Sequence, residues 1–191
     1  MAIHLKKKPS NMRPNIKISL SFIFSLFLLT SCSDTMSLEE YLVNNGKDKR
    51  FIAANLSSDV FLSGANLSPE EREKISSIRK INFLAFKKDS TKTGYDSSKA
   101  QLKQILDDEE FKNLMNYNNS DAEVQLKYTG DEVNIDELIV YAESEEMGFM
   151  VARLLGDDMK PKDFYNLATM MDKLNLKEVE KFTKDLDLSK I

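Results

Sequence analysis

The chain of 191 residues contains 41% hydrophobic and 30% charged residues, a composition typical of a folded domain rather than a disordered chain. Its formal net charge of -4 is unevenly divided: residues 1–31 carry five basic and no acidic side chains, whereas 22 basic and all 31 acidic residues lie from Cys32 onward. Such an acidic body would repel phosphate backbones, so we expect no nucleic-acid partner.

Cysteine and histidine each occur once, at Cys32 and His4. A single cysteine excludes an intramolecular disulfide and a CxxC metal or redox site. If the basic segment that contains His4 is removed, the mature protein also lacks the means for Ser-His-Asp or Cys-His catalysis and the usual His/Cys zinc ligands. We therefore predict that the protein is not an enzyme and has no catalytic residue, metal site or cofactor.

The N-terminal segment has the layout of an export signal. Residues 1–17 are basic and polar, and residues 18–30, ISLSFIFSLFLLT, are apolar. Thirteen helical residues reach about 20 Å, short of the roughly 30 Å core of a bilayer, which favours a signal peptide over a transmembrane anchor. Met1 and Met12 are both possible starts, and a buried helix of the domain is the alternative interpretation.

The end of that run, Leu29-Thr30-Ser31-Cys32, resembles the lipobox of bacterial lipoproteins. The resemblance implies signal-peptidase cleavage before Cys32, diacylglycerol on its sulfur and often a third acyl chain (palmitate) on its new amino group. Two or three acyl chains anchor a protein stably, whereas one holds it only marginally. We predict a lipoprotein signal peptide at 1–31, a lipidated tether at 32–36 and a single α+β domain at 37–191; an incidental cysteine is the alternative.

Residues near Cys32 bear on location and modification. Ser33 stands where an aspartate retains some lipoproteins at the inner membrane, and no acidic run of the kind associated with surface export follows. We therefore expect a cell-envelope lipoprotein at the outer membrane, facing the periplasm. Thr35 and Ser90, in Asp-Thr-Met and Asp-Ser-Thr triplets, resemble bacterial O-glycosylation acceptors, although three-residue motifs occur by chance and unmodified loop residues are the favoured interpretation.

The first half of the body contains two clear helix starts. Residues 37–40, SLEE, form a capping-box pattern that opens a helix ending near Gly46. Residues 68–71, SPEE, combine an N-cap with proline at the first helical position, and that helix should carry Ile75 and Ile78 inward.

Strand patterns alternate with these helices. Residues 50–57 form an extended apolar run, and residues 80–88, KINFLAFKK, have apolar side chains on both faces, which predicts a strand covered on both sides. A short helical turn at 59–65 should direct three side chains to the core: Val60, Phe61 and Leu62. Residues 97–107 have helical spacing, and 111–115 are ambiguous between helix and strand.

From Ala122 the apolar period changes to two. An antiparallel meander with short turns is predicted at 122–128, 133–142 and 147–156. Amphipathic helices are predicted at 163–174 and 176–185. The fold class is therefore α+β, a mixed, mostly antiparallel sheet with helices packed mainly on one face.

Three segments resemble a known family in order and spacing: RFIAANLSSDVF (50–61), LKQILDDEEFKNLMNYNNSDAEVQLKY (102–128) and VNIDELIVYAESEEMGFMVARLLGDDM (133–159). They are similar to the bacterial domain-of-unknown-function family 4252 (DUF4252), which occurs chiefly as lipoproteins of Bacteroidota. The resemblance covers nearly all of 36–175 and implies an exported α+β domain. It brings no catalytic residue, because none is established for the family; only the lipid-bearing Cys32 is carried over.

Acids and tyrosines are the remaining chemical candidates. Acidic clusters that could bind a hard cation such as Ca²⁺ lie at 107–110, 143–146 and 157–158. None has the spacing of an EF-hand loop, and we favour the interpretation that they are solvated turns and helix caps. Three tyrosines could form a sugar-contacting surface, or simply be half-buried: Tyr41, Tyr95 and Tyr117.

These features favour a non-enzymatic, membrane-anchored envelope protein whose domain binds another envelope protein or senses the state of the envelope. The alternative is a periplasmic carbohydrate-binding or carbohydrate-processing accessory protein, and a third hypothesis is a regulatory partner of a membrane-bound signalling protein. A pocket with two acids near aromatic rings would favour carbohydrate, whereas a flat, exposed apolar patch would favour protein binding.

Overall fold

The computed structural model describes residues 36–88, 93–120, 122–144, 148–170 and 173–175. The strands are β1 (Phe51–Ser57), β2 (Ile78–Lys87), β3 (Lys112–Asn118), β4 (Ala122–Asp131), β5 (Asn134–Ser144) and β6 (Gly148–Met159). The helices of the described residues are α1 (Leu38–Asn45), α2 (Ser58–Phe61), α3 (Pro69–Lys74), α4 (Tyr95–Leu106) and α5 (Pro161–Met170).

All six strands join one antiparallel sheet in the order β1-β2-β6-β5-β4-β3. Strands β3 to β6 are neighbours in sequence and in space, and β1 and β2 join them through the pairing of β2 with β6. The predicted strands at 50–57 and 80–88 and the meander after Ala122 are confirmed. Strands β1 and β3 are the two edges of the sheet.

The predicted capping boxes determine where α1 and α3 begin. The Glu40 N–H donates to Ser37 Oγ at 3.2 Å, and the Ser37 N–H donates to Glu40 Oε2 at 3.0 Å. Ser68 and Glu71 repeat this exchange at 3.2 and 2.8 Å. Each pair satisfies N–H groups that the start of a helix leaves without intrahelical partners.

Two buried clusters cover opposite faces of the sheet, which we call the α5 face and the α4 face. Leu167 and Met170 of α5 and Phe61 of α2 belong to the cluster on the first. Leu102 of α4 and Tyr41 of α1 belong to the cluster on the second. The α+β class and the antiparallel sheet are confirmed, but the expected placement of the helices mainly on one face is corrected: β2 and β6 are apolar on both sides, and each side is covered by a different set of helices.

Two local predictions are also corrected. Helix α3 ends at Lys74, so Ile75 and Ile78 are buried as expected but lie in the following turn and in β2. In the short helix α2, Phe61 is fully buried whereas Val60 is 44% exposed. A single helical turn directs only part of its side chains toward one side, so α2 does not bury Val60 together with Phe61.

The ambiguous segment 111–115 consists of a buried Phe111 followed by strand β3. Several predictions lie outside the described residues: the signal peptide with Leu29, Thr30, Ser31 and Cys32, the glycosylation candidates Thr35 and Ser90, and the helix at 176–185. Among the described helices, none is both long and apolar enough to cross a membrane.

Candidate interaction surface

Side chains of the α5 face line up in three rows that cross all six strands. Each row consists of residues that are paired across neighbouring strands. The residues of a row are given in the order of the strands in the sheet, from β1 to β3. The first row is Leu56, Ile81, Leu154, Leu138, Tyr128 and Lys112. The second row is Ala54, Phe83, Ala152, Val140, Leu126 and Met115. The third row is Ile52, Ala85, Met150, Ala142, Val124 and Tyr117. Apart from Lys112, every position in the three rows is apolar or aromatic.

Burial is most complete in the first row, and in all three rows the residue on β3 is the exposed one. The first row is buried as far as β4. In the other two rows Val124, Leu126 and Val140 are only partly buried, and at the edge Met115 and Tyr117 are 51% and 46% exposed. We call the incompletely covered residues the apolar strip: Ile52, Met115, Tyr117, Val124, Leu126, Val140 and Met150.

The composition of the strip limits what it can do. Its single polar side-chain group is the Tyr117 hydroxyl, which accepts a hydrogen bond from Asn119 Nδ2 at 3.0 Å. The strip has no carboxylate, amine, thiol or imidazole, the groups that most often serve in acid-base catalysis or bind metal ions. Contiguous exposed apolar surface is instead typical of protein or membrane contacts.

Strand β3 forms the edge of the sheet beside the strip. All seven of its residues are exposed, including Leu114 at 43%. Its register with β4 shifts between Asn113 and Met115, so Leu114 lies at a bulge. The only charged residue of β3 is Lys112, and its Nζ donates to the Gly130 carbonyl at 2.6 Å. Natural edge strands are usually protected by charges or proline, and residues 113–118 contain neither.

On the α4 face, ion pairs connect lysines of α4 with glutamates of the sheet. Lys103 Nζ lies 2.8 Å from Glu123 Oε2 and 3.4 Å from Glu143 Oε2, and Lys99 Nζ lies 3.7 Å from Glu143 Oε1. Burial opposes the charge of Lys103, but the hydrogen bond to Glu123 and the attraction of Glu143 outweigh it and raise the pKa of Lys103. The same balance, with burial again opposing, lowers the pKa of Glu123. Both shifts move these groups away from neutral pH, which is the opposite of what a general acid or base needs.

A second group of ion pairs connects α1 with strands β5 and β6. Arg153 Nε donates to Glu137 Oε2 at 2.9 Å, and Arg153 Nη1 lies 3.4 Å from Glu39 Oε2. The bond with Glu137 raises the pKa of Arg153 against the effect of burial. A cavity of about 220 Å³ adjoins these residues, with Phe111 and Thr129 on its wall. Arg153 thus pairs with two of the three carboxylates that line this cavity, those of Glu39 and Glu137, and Glu110 is the third.

A larger cavity, of about 440 Å³, lies where α3, the turn after it and the start of α5 meet. Its most buried polar residue is Asp163, which accepts hydrogen bonds from Ser77 Oγ and the Lys160 N–H, both at 2.9 Å. The remaining wall is a mixture of lysines, acids and serines without an aromatic side chain. Asp163 is thus used to hold the start of α5 against the β2 end of the sheet.

Of the two interpretations of the three tyrosines, a shared sugar-contacting surface is not formed. Tyr41 is fully buried and Tyr95 is 3% exposed, so only Tyr117 is available at the surface. The acidic residues at 107–110 and 157–158 are exposed turn and strand-end residues, and the cluster at 143–146 is described only to 144. Within the described part of the chain, no three His, Cys, Asp or Glu side chains come together in a way that could hold a metal ion.

The strip was not predicted from the sequence as a surface. Its signal was present in the period-two pattern of Val124 and Leu126, which indicates one apolar face for β4. The strand order and the extent of helix cover were needed to show that this face continues to the edge at Met115 and Tyr117 and stays open there.

Together, the fold and this surface define an α+β domain with a partly exposed apolar strip on one face of its sheet. The family described as "Domain of unknown function (DUF4252)" matches residues 41–167, and the chain therefore belongs to this family. The matched range runs from α1 into α5 and so contains the whole sheet, the strip and β3. No curated protein and no solved structure matches the chain.

Proposed function

We propose that this protein is a non-enzymatic lipoprotein of the cell envelope, held at the outer membrane by lipid on Cys32 and facing the periplasm, whose domain binds another envelope protein. The observation that carries the binding role is the apolar strip, which continues from Met150 on β6 across β5 and β4 to the exposed edge at Met115 and Tyr117. The anchoring role rests on the sequence of the lipobox-like segment 29–32 and the apolar run before it.

The strip suits a partner that presents an apolar face of its own. Fully burying a Leu, Val or Met side chain contributes about 1.5–3 kcal/mol, and association must first offset about 4–15 kcal/mol of lost freedom. Several half-exposed residues must therefore be covered together, as an amphipathic helix laid across β4 and β5 would do. The acidic character of the chain after Cys32 favours a basic rim on that partner.

Substitution within the strip tests the binding role. Val124→Lys introduces a charge into the strip, and Val133→Lys is its matched control, because Val133 is 70% exposed in the turn between β4 and β5. Both full-length variants are expressed in the native envelope, crosslinked and purified, with far-UV circular dichroism and the melting temperature as checks of folding. We expect Val124→Lys to lose a crosslinked protein that the wild type and Val133→Lys both retain. Equal recovery by the two folded variants would contradict the proposal.

One competing occupant of the strip belongs to the chain itself. Residues 176–191 continue from Asn175, whose N–H donates to the Phe61 carbonyl of α2 at 2.9 Å, and the sequence predicts a helix at 176–185. If that segment covers the strip, a chain ending at Asn175 would bind more of a hydrophobic dye than the full chain, and Val124→Lys would remove the difference. Unchanged dye binding together with loss of the crosslinked protein in Val124→Lys would support the external partner.

The anchor is tested separately. If lipid on Cys32 holds the protein, Cys32→Ala should abolish processing at that position and prevent incorporation of labelled palmitate. Membrane retention and processing as in the wild type would contradict anchoring without bearing on the binding role. Glycan binding by the wild type, with no crosslinked protein recovered, would instead favour the carbohydrate-binding alternative.

A further inference from the structure

The two edges of the sheet differ in what they expose. Of the described β1 side chains, no large apolar one is exposed, whereas β3 exposes Leu114, Met115 and Tyr117 within four consecutive residues. An uncovered edge has a row of backbone N–H and C=O groups that can continue the hydrogen-bonded ladder into another strand. The apolar side chains beside that ladder add packing to the hydrogen bonds. Strand β3 is thus the edge of this sheet best suited to receive a further strand.

We infer that this further strand is β3 of a second copy of the chain, paired antiparallel with the first across a two-fold axis. Charge favours a second copy at this place. The chain from Cys32 onward is acidic, so two copies repel each other over most approaches. Residues 113–118 carry no charge, and the Lys112 ammonium next to them is bonded to the Gly130 carbonyl of its own chain. Two β3 strands can therefore lie side by side without opposing like charges.

The side chains of β3 are also complementary to those of a second, antiparallel β3. With the two-fold axis at Asn116, antiparallel pairing places Met115 opposite Tyr117 of the second copy, and the symmetry forms this pair twice. Directly opposed residues lie on the same face of a sheet, so both pairs extend the apolar strip. A thioether beside an aromatic ring is a favourable contact. The bulge at Leu114 limits regular pairing to the part of β3 that follows it.

The pairing joins two six-stranded sheets into one continuous sheet and connects the strips of the two copies. It uses the edge of the sheet and leaves Val124 and Val140 on the face free for another protein. The inference therefore goes beyond the proposed function and does not depend on it. A contact through one short strand is smaller than a standard stable interface, so we expect a weak dimer that confinement to a membrane surface would strengthen.

A single engineered cysteine tests this arrangement in the full-length chain. Opposed residues of an antiparallel pair have Cα atoms about 4.5–5.5 Å apart, within the range that a disulfide spans. Asn116→Cys would therefore be opposite its own copy at the axis. Val133→Cys is the control, because Val133 is exposed in the β4–β5 turn away from this edge. Both variants and the wild type, purified in detergent, are oxidised under mild conditions and compared on non-reducing gels; the wild type reports any crosslink through Cys32.

We expect a covalent dimer from Asn116→Cys, with neither the control nor the wild type forming it above background. Adding Met115→Lys and Tyr117→Lys to Asn116→Cys should reduce its yield by about tenfold, because lysines then face lysines across the axis. These residues are exposed, so the fold should persist, and circular dichroism checks that it does. Equal crosslinking of Asn116→Cys and Val133→Cys, or a yield unaffected by the two lysines, would overturn the inference. A crosslink from Asn116→Cys to a different protein in its place would do the same.

Discussion

The hydroxyl of Tyr41 in α1 donates a buried hydrogen bond to the main-chain carbonyl of Ser98 in α4, at 2.9 Å. Burial raises the pKa of Tyr41, so the hydroxyl keeps its proton and remains a donor at neutral pH. This bond joins the two helices that cover the α4 face. A tyrosine with this role is a structural residue, although its sequence position had suggested a sugar contact.

Tyr41→Phe should reduce the free energy of unfolding by about 0.5–1.5 kcal/mol, the net value of one hydrogen bond. Tyr41→Ala should reduce it by about 3–5 kcal/mol, because it also leaves a cavity in the core. Urea unfolding followed by circular dichroism measures both. The control is Tyr117→Phe, which changes an exposed hydroxyl and should leave stability within about 0.5 kcal/mol. A Tyr41→Ala variant as stable as the control would contradict this account of the α4 face.

Gly148, at the start of β6, is predicted to tolerate no side chain. Its φ is +119°, and a Cβ atom there would lie 2.0 Å from the Phe86 carbonyl oxygen. Gly148→Ala should therefore destabilise the fold by about 2–4 kcal/mol, because both the backbone and the pairing with β2 must shift. Gly64→Ala separates the two causes: Gly64 has φ +70° with no heavy atom within 4 Å of the added Cβ. Thermal unfolding should rank wild type, Gly64→Ala and Gly148→Ala in decreasing stability; reversal of the two variants would be inconsistent with the close contact.

The pair of Lys103 and Glu123 predicts a specific dependence of stability on pH. Because the pKa of Glu123 is lowered from its ordinary 4.5, its contribution is complete above that pH and is lost as the pH falls through the lowered value. The raised pKa of Lys103 keeps the other partner charged throughout this range. For a pair with this exposure we expect Glu123→Gln to cost about 0.2–1 kcal/mol at pH 7.

The difference between Glu123→Gln and the wild type should shrink as the pH falls below 4.5, because the carboxylate of the unfolded chain is protonated there first and the folded one follows at its lowered pKa. Urea midpoints at pH 7 and pH 3 measure it, with Glu132→Gln, in the exposed β4–β5 turn, as the control. A difference that is the same at both pH values would show that the change acts through packing rather than charge.

Local elements could be predicted from the sequence wherever a few neighbouring residues determine them. The capping boxes at Ser37 and Ser68 and the two-sided pattern of β2 each depend on side chains close in sequence, and each is confirmed. The division of the helices between two faces could not be predicted, because it depends on how distant strands are ordered.

Lys127 is a residue whose burial depends on the placement of elements distant in sequence. In the alternation of β4, Lys127 lies on the other face of the sheet from Val124 and Leu126. If helices covered only the face of Val124 and Leu126, Lys127 would be exposed to solvent. It is 6% exposed, because α4 covers that face and the Lys127 ammonium donates to the Leu106 carbonyl at the end of α4. A lysine that meets the carbonyl end of a helix is favourably placed, and no pattern within β4 indicates that a helix ends there.

The candidate site, too, could be predicted from the sequence only in part. The apolar alternation of β4 was visible in the sequence, but the exposure of Met115 and Tyr117 depends on β3 being an edge strand. Residues 111–115 are too few to distinguish a strand from a helix by periodicity alone. The sequence likewise does not distinguish buried from exposed tyrosines, because their burial depends on where the helices pack.

The central claim, that the apolar strip binds another envelope protein, is tested most directly by site-specific photocrosslinking in the native envelope. A photoreactive amino acid replaces Val124 in the strip and, as the control, Val133 in the β4–β5 turn, both in the full-length chain. The account predicts a discrete adduct of higher mass from position 124 that is absent from position 133 and is abolished by Leu126→Lys. The same adducts from both positions, or an adduct from position 124 that Leu126→Lys leaves unchanged in a folded protein, would contradict it.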